Sequence, residues 1–164
     1  MSAPLESRSL LPDGVPSAIT PELLRWLLEA GADELTITVL AFAGESAELA
    51  DGFEDALEPY ALPLARRRVM VDADGPGSTR EVRRWRLSAA SLAAFLPFVS
   101  RGLFHCAPGP AGWLEDLVIY RDGELMLGVL SNQQEGTLRL SADEHAAVAR
   151  LGVRSTAAGE WVGY

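Results

Sequence analysis

The chain contains no lysine, and all 14 of its basic residues are arginine. A lysine nucleophile, a Schiff-base lysine and the lysine of a phosphate-binding loop are therefore excluded. Cysteine is nearly absent as well. Cys106 stands alone, so no internal disulfide can form and no second thiol can complete a structural zinc site. Long apolar runs are also missing. The stretches 35–44 and 89–99 fall short of the roughly 18 residues that a membrane-spanning helix needs, and Pro97 interrupts the second. The first residues carry Glu6 and Asp13 among Pro4, Pro12 and Pro16, where a secretory signal would have a basic start and an apolar middle. These features predict a cytoplasmic protein.

What remains is the composition of one soluble domain: 164 residues, 48% hydrophobic and 23% charged, enough to build a single core without a metal or disulfide staple. Residues 1–18 show no hydrophobic periodicity and are rich in Ser and Pro, which predicts a flexible leader or a strap lying on the surface. Residues 19–164 read as one α+β domain, with the 105–112 loop as the one place where a seam would fall.

The elements follow from local pattern. Thr20 and Pro21 open a helix whose Leu23, Leu24, Leu27 and Leu28 form an apolar stripe that Gly31 terminates. Residues 34–43 are almost uncharged and β-branched, the pattern of a central strand buried on both faces. A second helix is expected over 46–57, with Leu49, Phe53 and Leu57 inward. Residues 64–72 and 80–87 flank a glycine-rich loop and predict a hairpin, and Ser88 caps a short helix to about 98. A second hairpin joins 114–120 to 124–130 through Asp122-Gly123, a pair suited to a type I′ turn. A strand at 137–140 precedes a helix with a Ser141/Glu144 capping box. Adjacent hairpins predict a mostly antiparallel sheet covered by about four helices.

Charge is unevenly spread. The local balance is −10 over residues 1–64, +4 over 65–86 and −3 over 87–164, against a net −9. Half of the arginines sit on the first hairpin, among them Arg66, Arg68, Arg80, Arg83, Arg84 and Arg86, with Trp85 between them. On the second helix, Glu48, Asp51, Asp55 and Glu58 recur at helical spacing, with Glu54 beside them. Repulsion between such neighbours costs roughly 0.2–0.5 kcal/mol per pair, and Glu58 faces the negative end of the helix dipole.

Catalytic groupings are poor. His105 and Cys106 are chain neighbours and point apart in an extended segment, so His145 would have to complete a dyad from elsewhere. Gly44-Glu45-Ser46-Ala47-Glu48 lacks the closing glycine of a nucleophile elbow. The two histidines cannot build a metal site unless Glu115 and Asp116 join them. No cofactor, metal or complete catalytic motif is indicated. The expectation is a non-enzymatic protein that binds a basic protein partner through Glu48, Asp51, Glu54, Asp55 and Glu58, an immunity-type inhibitor being one concrete case. The alternative is a homodimer, or a ligand-binding domain, whose arginine hairpin takes anions or nucleic acid on its guanidinium groups and Trp85. The net negative charge disfavours nucleic acid. Two plainer readings compete with docking: a merely solvated helix face, and arginine hairpin and acidic helix neutralising each other within the fold.

Overall fold

The computed structural model describes residues 4–11, 13–41, 47–62, 67–69, 79–104, 114–131 and 133–157. Four α-helices are present among them: α1 (Thr20–Glu29), α2 (Ala47–Leu57), α3 (Ala89–Phe95) and α4 (Ala142–Arg150). The strands are β1 (Leu5–Leu10), β2 (Glu34–Ala41), β3 (Arg67–Val69), β4 (Thr79–Arg86), β5 (Leu114–Arg121), β6 (Glu124–Leu130), β7 (Glu135–Ser141) and β8 (Ser155–Ala157). They form one sheet in the order β3-β4-β2-β5-β6-β7-β1-β8, with every neighbouring pair antiparallel. The class is α+β, as the hairpin pattern predicts.

Residues paired across an antiparallel ladder share a face, so register alone sorts the side chains. Trp85, Leu35, Ile119, Leu127 and Leu138 form one continuous row across five strands, and all five are buried. This is the helix-covered face. The adjoining row on the opposite face runs Arg84, Thr36, Val118, Gly128, Thr137, Ser9, Thr156, mostly small or hydroxylated residues, of which Thr36, Gly128 and Thr137 are buried. β2 is an interior strand, third from the β3 edge, and Leu35 through Thr38 are all buried, which matches its near-uncharged sequence.

Helix α3 packs against both α1 and α2, while α4 lies on β7. The inward stripe of α1 buries Leu23, Leu24 and Leu27 completely, and α2 does the same with Phe53 and Leu57. The Phe53 ring meets Trp85 edge-on at 5.2 Å, Phe98 at 5.1 Å and Phe95 at 6.1 Å. One ring therefore joins α2 to the sheet and to the α3 region.

Capping follows the sequence at two helices. Ser88 and Ser91 form a capping box at α3, and Ser141 and Glu144 form one at α4. At α1 it differs: Ile19 occupies the cap without a side-chain bond, and Thr20, already helical, turns its hydroxyl back to donate to the Pro16 carbonyl. The second hairpin turns as expected, with Asp122 and Gly123 at φ 51° and 78°, the left-handed pair of a type I′ turn.

The flexible leader is the main correction. Residues 5–10 are a strand inserted between β7 and β8, and its pairing with β7 covers six residues. Leu10 is buried and lies so close to Gly136 that a Cβ there would meet its Cδ1 at 2.8 Å. Beyond it, the Leu11 amide donates to the Arg154 carbonyl and the Arg154 amide to the Gly14 carbonyl. The segment lacks periodicity because few of its side chains are needed in the core. Backbone pairing recruits it instead. β8 was likewise not foreseen. The 105–112 loop lies outside the described residues.

Replacing Phe53 with alanine removes the ring that three aromatic neighbours abut, and is expected to cost about 3–5 kcal/mol. Urea unfolding of Phe53→Ala against the parent measures it, and a loss under about 1 kcal/mol would show that α2 is held by other contacts.

Candidate functional site

The acidic helix and the arginine strand are next to one another. Phe53 and Leu57 face the sheet, and the side of α2 between them and solvent carries Glu54. Its Oε2 sits 2.5 Å from Nη1 of Arg83 on β4, with the two side chains only 27% and 19% exposed. Asp55 and Glu58 are exposed, and α2 has no basic residue in its last turn. Glu48 and Asp51 lie on the same helix, but their side chains are outside the described residues.

The arginine cluster is divided by the strand that carries it. Successive side chains of a strand alternate between faces. Arg83 and Trp85 pair in register with Ile37 and Leu35 and so face the helices. Arg84 and Arg86 pair with Thr36 and Glu34 and take the opposite side. Arg84 is engaged there by Glu34, donating from Nε to Oε1 at 2.7 Å and from Nη2 to Oε2, which raises its already high pKa. Arg86 is exposed. Arg68 and Arg80 are placed by backbone alone, opposite Glu81 and Val69, and Arg66 lies outside the described residues. Trp85 is 3% exposed and stands edge-on to Phe53. It offers no free face on which a base could stack, so that role is withdrawn. β3 is an outer strand of the sheet, and arginines at such an edge discourage pairing with other chains.

A second charged node was not visible in the sequence. Arg121, at the end of β5, donates from Nη1 to the Ala30 carbonyl at 2.9 Å and to Glu144 Oε1 at 2.5 Å. Glu144 accepts at the same time from the Ser141 amide at 2.8 Å. The capping box was legible; the arginine reaching it from 23 residues away was not. Hydrogen bonding from Arg121 holds the Glu144 carboxyl at about 2, well below its ordinary 4.5, with burial opposing and the Ser141 amide assisting.

The catalytic alternatives gain nothing. His145 is buried and its Nε2 donates to the Glu6 carbonyl at 2.9 Å, tying α4 to β1. His105 and Cys106 lie outside the described residues. Asp116, at φ 55°, exchanges hydrogen bonds with Ser131, its amide donating to Ser131 Oγ and its Oδ1 accepting from the Ser131 amide. It serves the β-bulge. Among the described residues no group of three or more His, Cys, Asp or Glu gathers to hold a metal, and no helix is long and apolar enough to cross a membrane. Comparison of the chain with protein-family models, curated proteins and solved structures finds no match.

Two outcomes test this electrostatic layout. Arg83 and Glu54 are half-screened from water, so a double-mutant cycle with Arg83→Met and Glu54→Gln is expected to give a coupling of about 1 kcal/mol. A value indistinguishable from zero would mean the pair holds nothing. The folded pKa of Glu144 lies below its unfolded one. Its carboxylate therefore stabilises the fold fully above about pH 4.5 and loses that contribution as pH falls toward 2. Melting curves of Glu144→Gln should show a flatter decline than the parent across this window. Parallel declines would refute the assignment.

Proposed function

We propose that the protein is a non-enzymatic cytoplasmic binder of a basic protein, which it engages through the outer side of α2. The observation that carries this reading is the division of labour along that helix. Phe53 and Leu57 fix it to the core, and Glu54 is taken up by Arg83. The side chains of Asp55 and of Glu58, the latter in the 3-10 turn just past α2, stay exposed with no hydrogen bond or ion pair among the described residues. Because Glu54 is neutralised from within, the docking set narrows to Asp55 of α2 and Glu58 in the turn that follows it, joined by Glu48 and Asp51 of α2. A rigid helix presenting uncompensated carboxylates attracts a cationic surface at long range and selects it by complementarity. An immunity-type inhibitor that fills the phosphate-binding groove of a nuclease is the concrete form of this function.

The homodimer alternative rests on the exposed Arg86 and the outer position of β3, which would let the arginine hairpin of one copy meet the acidic helix of another. One set of measurements separates the two. Binding to a panel of basic nucleases is followed at about 20 and about 500 mM salt, with light scattering on the free protein. Docking through α2 predicts a monomer and a salt-sensitive complex that Asp55→Arg with Glu58→Arg weakens by at least about tenfold. A complex that this double variant leaves unchanged would sink the reading, and a salt-sensitive dimer would replace it with the alternative.

A further inference from the structure

α2 holds a glycine in its middle, Gly52, and no other α-helix among the described residues contains one. Glycine is a poor choice there, because fixing its backbone in a helix sacrifices more conformational freedom than fixing alanine. Exchanging such a glycine for alanine ordinarily favours the folded state about fivefold. A fold retains glycine for its own sake when the backbone is left-handed, or when another atom stands where a side chain would start.

Gly52 meets neither condition. Gly31, Gly102, Gly123 and Gly152 have φ between 78° and 110°, and a Cβ on Gly14 or Gly136 would collide at 2.3 or 2.8 Å. A Cβ on Gly128 would touch Leu125 at 3.5 Å. At Gly52 the backbone is helical, the residue is exposed, and a Cβ would meet nothing within 4 Å among the described residues. The notch in the helix therefore opens outward. Phe53 and Leu57 turn to the core and Glu54 to Arg83. Residues three apart on a helix share a face, so Gly52 stands beside the exposed Asp55 on the outer side.

We propose that Gly52 is where the main chain of the basic partner packs directly on α2. This inference rests on the docking role of the helix and adds the contact that sets its distance. Without a side chain at Gly52, a partner backbone comes closer by the width of a methyl group. Cationic side chains of the same partner segment then reach Asp55. The glycine selects by shape and the carboxylate by charge. A partner that laid only long, adjustable side chains on α2 would accommodate a methyl group at this position, whereas a backbone cannot withdraw from it.

A size series tests the contact: Gly52→Ala and Gly52→Gln in the full-length chain. The free proteins are unfolded in urea, and each is titrated at about 20 mM salt with the basic nuclease of the panel that the parent binds most tightly. Both variants are expected to raise the urea midpoint, since good helix formers replace glycine. Both should nonetheless bind more weakly, Gly52→Ala by about fivefold and Gly52→Gln by at least about thirtyfold, through overpacking at the contact. Parent-like or tighter binding by either variant overturns the contact. A lowered urea midpoint also overturns it, because the fold itself would then require the glycine. If Asp55→Arg with Glu58→Arg weakens the complex while the size series binds like the parent, the docking reading stands and this contact alone fails. If no nuclease binds the parent, both fall.

Discussion

The fold turns on a single ring. Phe53 is completely buried with its edge or face against Trp85, Phe95 and Phe98, and these belong to the sheet, to α3 and to the 3-10 turn that follows it. Aromatic pairs crossing near a right angle set the positive edge of one ring against the negative face of another, which fixes orientation as well as distance. With the ring so placed, the azimuth of α2 is no longer free. Glu54, one residue on, comes down toward β4, while Asp55 and Glu58 remain outside. The electrostatic character of the helix is therefore a consequence of apolar packing.

The same economy governs the arginines. A strand cannot present neighbouring side chains on one surface, so Arg83, Arg84 and Arg86, which look like a patch in one dimension, are distributed over two faces of the sheet. Arg83 and Arg84 each find a carboxylate of the same chain. Their partners stand 29 and 50 positions away in sequence. Close ion pairs of this kind weigh more in specifying which elements lie together than in net stability, since desolvation offsets much of their attraction.

The N-terminal strand shows how weak side-chain patterning can conceal strong backbone commitment. Leu5–Leu10 has only one buried residue at its end, yet it fills the gap between β7 and β8 and is met by His145 from α4. Sheet edges demand donors and acceptors whatever side chains accompany them. An early and a late part of the sequence are thereby joined in one sheet, with β1 between β7 and β8.

The amino-acid sequence by itself determined the local elements. Leucine spacing determined α1, the Asp122-Gly123 pair the second hairpin, Ser88 and Ser141 two helix starts, and near-uncharged β-branched residues an interior strand. These rest on interactions within a few residues, where spacing is geometry. Only the tertiary structure decided which charges remain available. Whether Glu54 is free, whether Trp85 has an open face, and whether Arg121 reaches Glu144 depend on strands brought together from distant segments, and no periodicity along the chain encodes that meeting.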